Sequence, residues 1–293
     1  MRLDQLFATR NQTLSFEFFP PKNERAWYTL EDTIDQLVPL GPDFISVTYG
    51  AGGGTRAKTR EVVEHIQAKT GVTAMAHLTC VNATKDELRA LFDEYHGAGI
   101  ENLLALRGDP PKGEARFTPT DGGCAYATDL IDLIRTDRRF AIVCAAFPEG
   151  HPDNPSRSAD WDWLVEKFRR GATAAITQCF FEARPYQELV EHVTRTTGKR
   201  QRIIPGILPI TDFHALERFC ARCGATIPDS VRATLAPLAD DPIAVRKAGI
   251  ACTVAFCQDL LEAGAPGLHI YALNRSTAAA ELVTALRLAG CLN

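Results

Sequence analysis

Short apolar runs alternate with longer amphipathic segments along the chain, a rhythm that predicts parallel strands joined by crossover helices. Eight strands are expected, over residues 14–19, 44–48, 73–78, 102–106, 140–146, 174–179, 202–208 and 268–273. Each is mostly apolar, as in a sheet covered on both faces. The helical periodicity predicts partners over 26–38, 55–69, 85–97, 127–135, 160–170, 185–196, 212–223 and 277–289, with Thr55, Thr84 and Thr211 as caps at or just before their starts. Residues 227–266 form an insertion ahead of the last strand, with two further helical stretches at 230–238 and 241–262.

Eight strand–helix units in 293 residues point to an α/β chain folded as a (β/α)8 TIM barrel, with extra helices inserted before strand 8. No repeat of solenoid period and no low-complexity tract interrupts the pattern, so a single catalytic domain over 1–293 is expected.

Composition narrows the function. The 36 acidic and 32 basic side chains leave a net charge of −4, which gives no electrostatic case for nucleic acid. The first residues lack the apolar run of a secretory leader, and no stretch reaches the ~18 apolar residues of a membrane span. A cytoplasmic enzyme of small-molecule substrates is expected, without a nucleic-acid or membrane partner and assembled from identical subunits. Nine cysteines, an odd number scattered through stretches such as Ile142-Val143-Cys144-Ala145, suggest buried free thiols. Cys220 and Cys223 have the spacing of a metal or redox pair, but with no second pair no metal is expected.

In such a barrel the strand ends build the active site. The first strand delivers Ser15-Phe16-Glu17-Phe18-Phe19-Pro20-Pro21, and alternation places Ser15, Glu17 and Phe19 on one face. A buried carboxylate is costly, so Glu17 must either find a partner or carry a raised pKa suited to general acid work. The second strand runs into Thr48-Tyr49-Gly50-Ala51-Gly52-Gly53-Gly54-Thr55, whose glycines allow close approach of a ligand. It is not a dinucleotide fingerprint, because Thr55 stands where the third glycine is required. Further on come His77-Leu78-Thr79-Cys80, Leu106-Arg107-Gly108-Asp109, Phe147-Pro148-Glu149-Gly150-His151, Gln178-Cys179, Pro205-Gly206-Ile207-Leu208-Pro209 and Leu273-Asn274-Arg275. A barrel histidine is more often a core residue, and an Arg-Gly-Asp turn more often a solvated loop. Their coincidence at successive strand ends is what points to a site.

Taken in order over nearly the whole chain, these motifs resemble those of the methylenetetrahydrofolate reductases. The resemblance implies non-covalent FAD, NADH or NADPH as hydride donor, and reduction of 5,10-methylenetetrahydrofolate to 5-methyltetrahydrofolate by a ping-pong route, supplying methyl groups for methionine synthesis. It makes Glu17 the acid that protonates the folate N10, and Asp109 the charge that stabilises the resulting 5-iminium cation. It assigns Thr48, Tyr49, Ala51, His77, Arg107, Gly108, Asp109, Tyr126, Ala127, Phe147, His151, Asp160 and Lys167 to the flavin. Asp160 and Lys167, seven apart, share a helix face. Gln178, Phe219 and Arg275 join Glu17 and Asp109 on the folate side, where a guanidinium suits the glutamate tail. Phe147 stands where a tyrosine is frequent, Cys179 where phenylalanine is usual, and Ala215 where some members have glutamine. The regulatory domain of eukaryotic relatives, which binds S-adenosylmethionine, is not expected here. Two alternatives stay open: a pterin-handling barrel without flavin, and a barrel that binds folate without catalysis.

Overall fold

The computed structural model describes residues 1–49, 56–110, 113–114 and 116–292. Nine parallel strands form one sheet: β1 (Thr13–Phe18), β2 (Phe44–Val47), β3 (Thr73–Thr79), β4 (Asn102–Leu106), β5 (Ala141–Ala146), β6 (Ala174–Thr177), β7 (Ile203–Ile204), β8 (Gly206–Ile207) and β9 (Gly267–Tyr271). Their order is β7-β6-β5-β4-β3-β2-β1-β9-β8. The expected seventh strand over 202–208 is thus two short strands, β7 on β6 and β8 on β9, split at Pro205. Proline cannot donate to a ladder. Its carbonyl instead accepts from His269 N at 2.9 Å, and Gly206 N donates to Thr177 Oγ1 at 2.9 Å. The chain thereby crosses from one edge to the other and brings the sheet nearly to closure.

Around the strands lie α2 (Glu24–Leu37), α3 (Arg56–Thr70), α4 (Lys85–Gly97), α5 (Ala127–Asp137), α6 (Arg157–Arg170), α7 (Ala183–Thr197), α8 (Phe213–Cys223) and α11 (Ser276–Leu288). The insertion before β9 carries α9 (Asp229–Leu235) and α10 (Pro242–Glu262). Thr84 caps α4 in a reciprocal box with Glu87. Helix α8 is capped by Asp212, which accepts from Ala215 N at 2.7 Å, rather than by the expected Thr211. A carboxylate one residue nearer the helix reaches its free N–H groups. Thr55 lies outside the described residues.

One helix escaped the sequence pattern. At seven residues α1 (Leu3–Thr9) is too short to show a period, yet Leu3 is fully buried. It joins Phe44, Met75, Leu104, Val143, Ile176 and Ile204 in a cluster inside the barrel. Asn102 ties this plug down: its side chain accepts from Leu3 N at 2.7 Å and donates to Met1 O and Ala74 O, both at 3.1 Å. The N-terminal end of the barrel is therefore filled, and the polar residues gather at the other end. No helix among the described residues is long and apolar enough to cross a membrane.

Candidate active site

Register decides what Glu17 meets. Ser15 lies opposite Phe44 on β2 and His269 on β9, and Glu17 lies opposite Ser46 and Tyr271. All of these point into the barrel, and Ser15, Ser46 and His269 are fully buried. Glu17 Oε2 lies 3.4 Å from His77 Nε2 and 3.5 Å from His269 Nε2. The other face of the His269 contacts is hydroxyl: Nδ1 is 2.8 Å from Ser15 Oγ, and Nε2 is 3.2 Å from Ser46 Oγ.

The carboxylate has found partners. Burial pushes the Glu17 pKa up, but the His269 hydrogen bond, positive charge on His77 or His269, and the Ser46 hydrogen bond outweigh it, and the net direction is down. The alternative of a raised pKa is corrected, because two imidazoles and a hydroxyl surround the carboxylate. His77 is held down to about 4, chiefly by burial, which the Glu17 charge only partly offsets. His77 is therefore neutral at physiological pH.

Two polar atoms in this mouth are unspent. His77 Nε2 and Thr79 Oγ1 are buried without a well-aligned hydrogen-bond partner among the described residues. Buried polar atoms left unpaired at a strand end suit a polar ligand. Beside them Gly108 has φ +89°, and a Cβ there would lie 2.5 Å from Val81 Cγ2 and 2.9 Å from Thr79 Cβ. Only glycine lets β4 turn so closely over β3. The turn sets Arg107 against Asp153, Nη1 to Oδ2 2.9 Å, and leaves the Asp109 side chain exposed at the rim.

The remaining candidates spread around that rim. Thr48 follows β2, its N–H bonded to Phe18 O at 2.9 Å, with the Tyr49 side chain buried beside it. Ala51 lies outside the described residues. Ala127 opens α5, and Tyr126 before it is exposed and stacks on Trp163 of α6, centroids 6.3 Å apart. Phe147 packs edge-on against His151 at 4.8 Å. His151 Nδ1 accepts from Asp153 N at 3.1 Å, and burial, then the Arg107 charge, lowers its pKa. Asp160 and Lys167 both lie on α6. Burial raises the Asp160 pKa against the pull of Lys167, whose Nζ donates to Ala145 O at 2.9 Å.

On the opposite side Gln178 follows β6, its Oε1 accepting from Cys179 N at 2.9 Å. Cys179 is buried, with its Sγ 3.7 Å from Cys223 Sγ on α8. Phe219, half-buried on α8, packs on the apolar cluster that includes Cys179 and Phe181. Ala215 is exposed on the same helix, and Arg275 is exposed at the start of α11. No group of three metal-ligating side chains exists among the described residues.

Sequence reasoning missed His269, Ser46, Thr79 and Asn274. The first two look like ordinary positions in apolar strands, although alternation puts His269 and Tyr271 on one face. Asn274 was visible in its motif but without a role. In the structure it holds the end of β1 by two hydrogen bonds to Phe19.

The chain matches the methylenetetrahydrofolate reductase family over residues 2–287. It is 38% identical over 263 residues to the 5,10-methylenetetrahydrofolate reductase of Escherichia coli (strain K12), covering 90% of this chain and 86% of that one. It is 36% identical over 271 residues to methylenetetrahydrofolate reductase (NADH) 1 of Arabidopsis thaliana, covering 89% of this chain and 46% of the relative. The chain thus spans about half the length of the plant relatives it matches. Among solved structures, a Clostridium thermocellum protein described as binding two copies of 5-methyl-5,6,7,8-tetrahydrofolic acid superposes with a TM-score of 0.61 at 15% identity, covering 96% of both chains. The dihydropteroate synthase of Xanthomonas albilineans gives 0.52 at 14% identity, covering 96% of this chain and 93% of that one. At such identities these two likenesses concern the barrel alone. With the family match running over nearly all of its length, the chain belongs to the methylenetetrahydrofolate reductase family.

Proposed function

We propose that this protein reduces 5,10-methylenetetrahydrofolate to 5-methyltetrahydrofolate, with non-covalent FAD as its cofactor and NADH or NADPH as the electron source. The observation that carries the reading is Glu17, a buried carboxylate at the end of β1 beside two imidazoles, with unpaired polar atoms on His77 and Thr79 of β3. Family membership supplies the substrate class.

Bound flavin would supply the hydride chemistry, accepting electrons from the nicotinamide and passing them to the one-carbon unit. His77, Thr48 and Tyr49 would hold it on one side of the mouth, and Arg107, Gly108 and Asp109 across the turn after β4; Ala51, outside the described residues, is assigned to the flavin by the family resemblance alone. Tyr126, Ala127, Phe147, His151, Asp160 and Lys167 extend that surface. Glu17 delivers the proton to N10 of the folate, opening its five-membered ring to a 5-iminium cation that accepts hydride at its methylene carbon. Asp109 places negative charge at the rim to favour that cation. Gln178 and Phe219 orient the pterin side, and the Arg275 guanidinium meets the glutamate tail.

Anaerobic mixing of the FAD-loaded protein with NADH, followed by methylenetetrahydrofolate, tests this reading. Bleaching of the oxidised flavin band by the first reagent and its return with the second are expected. A protein that retains no flavin after incubation with FAD overturns the cofactor assignment and favours a flavin-free barrel. Flavin that stays oxidised with both NADH and NADPH favours a non-catalytic one.

A further inference from the structure

We propose that His269 is a positioning residue for folate reduction: a buried imidazole that stores the proton delivered by Glu17 and passes it across the contact between His269 Nε2 and Glu17 Oε2. The inference rests on Glu17 acting as the proton donor.

A proton donor must recover its proton from somewhere. His77 stands equally close to Glu17, but its Nε2 makes no aligned hydrogen bond to the carboxylate, whereas the contact from His269 Nε2 is one. His269 has the geometry to supply the proton. It is fully buried, with its ring stacked 5.8 Å from Phe44, so it cannot swing away. Glu17 on β1, His77 on β3 and Tyr271 on its own strand are the titratable groups facing it; Ser15 and Ser46 are its polar contacts.

The Ser15 hydroxyl makes two proton inventories possible. Its Oγ lies 2.8 Å from His269 Nδ1 and 3.3 Å from Leu268 O. With Glu17 ionised and His269 neutral, Ser15 donates to Nδ1, and the proton on Nε2 points at Glu17 and Ser46. When a further proton arrives, Ser15 turns to donate to Leu268 O and accepts from Nδ1–H, so the imidazole carries protons on both nitrogens. Shift of the Nε2 proton to Glu17 Oε2 then leaves a neutral imidazole, protonated at Nδ1, accepting from a protonated carboxyl. Each state pairs every donor. One proton moves, no other bond changes, and the carboxyl can pass it to folate N10 and be recharged when the mouth reopens. An apolar side chain would fill this layer without the cost of burying an imidazole.

Nitrogen NMR of histidine-labelled protein, as isolated, reads the tautomer directly, with His269 assigned by its response to Ser15→Ala. Wild type is expected to show a proton on Nε2 above neutrality. Glu17→Gln, whose amide donates to Nε2 as a protonated carboxyl would, is expected to switch His269 to the Nδ1–H form. The same tautomer in both proteins across about pH 5–9 overturns the proposal. In the folate step, His269→Asn is expected to lose ~10-fold or more and to move the pH profile, with Ser15→Ala moving it in the same direction. A His269→Asn enzyme with the wild-type rate and profile also overturns it. Folate turnover that survives Glu17→Gln instead removes the premise about Glu17, an outcome distinct from either of these. If His269→Asn does not fold, the wild-type spectrum still decides.

Discussion

The Asn274 side chain clasps the backbone of Phe19, its Oδ1 accepting from Phe19 N at 2.8 Å and its Nδ2 donating to Phe19 O at 2.9 Å. This joins the loop after β9 to the end of β1, two residues beyond Glu17. Asn274 itself sits at φ +54°, a conformation that asparagine tolerates better than most residues. Asn274→Gly keeps the backbone and loses both bonds, whereas Asn274→Ala loses the bonds and adds strain. The expected costs are about 1–2 kcal/mol for glycine and about 1 kcal/mol more for alanine. Thermal melts check the order; alanine melting above glycine would refute it.

Glu17→Gln removes the proton while keeping the shape. Flavin reduction by NADH is expected to continue, and the folate half-reaction to fall by roughly 10²–10⁴-fold. Stopped-flow traces of the two halves separate these effects. Near-normal folate turnover would mean that another group is the acid.

His77 predicts a pH dependence of stability. Its pKa is held by burial at about 4 in the folded protein, against an ordinary 6.5. Above that ordinary value both folded and unfolded forms are neutral. Below it the unfolded chain takes up a proton that the folded one refuses until about 4, so stability falls across this window, by up to about 3 kcal/mol. Glu17, whose folded pKa is lowered, adds a further loss as the pH falls below its ordinary 4.5, overlapping the acid end of this window. Melting temperatures of the flavin-free protein should therefore drop between these limits, with a shallower slope in His77→Asn. Equal slopes would show that His77 does not set the dependence.

Gly108→Ala must relieve contacts of 2.5 and 2.9 Å and hold alanine at φ +89°. A loss of about 1–3 kcal/mol is expected, with weaker retention of FAD because the turn carrying Arg107 and Asp109 moves. Melting and flavin content after gel filtration measure the two effects. Unchanged values for both would show that the loop absorbs the methyl group.

Asn102→Ala removes two hydrogen bonds to the plug at the closed end of the barrel and a third to Ala74 O on β3. Leaving buried backbone groups unpaired costs about 2–4 kcal/mol. The folate step, at the other end, should keep its rate at temperatures where the variant is folded. A large fall in that rate would mean that the plug also shapes the mouth.

The periodicity of apolar residues determined the alternation of strands and helices, the helical insertion before β9, and the presence of a carboxylate on the inner face of β1. Those features are local: two-residue and 3.6-residue repeats are written directly in the order of side chains. The short α1 was not legible because seven residues contain too little of a period, and the split of the seventh strand was not because Pro205 acts only against particular neighbours. The partners of Glu17 depended on something else. That His269 and Ser46 stand beside it follows from the register of β1 with β9 and β2, strands separated by more than 200 residues in one case and joined by a helix in the other. A shift of one residue would have turned all of them outward. The sequence by itself determined that a carboxylate would be buried; only barrel closure, which fixes the register, decided that two imidazoles and a hydroxyl would receive it.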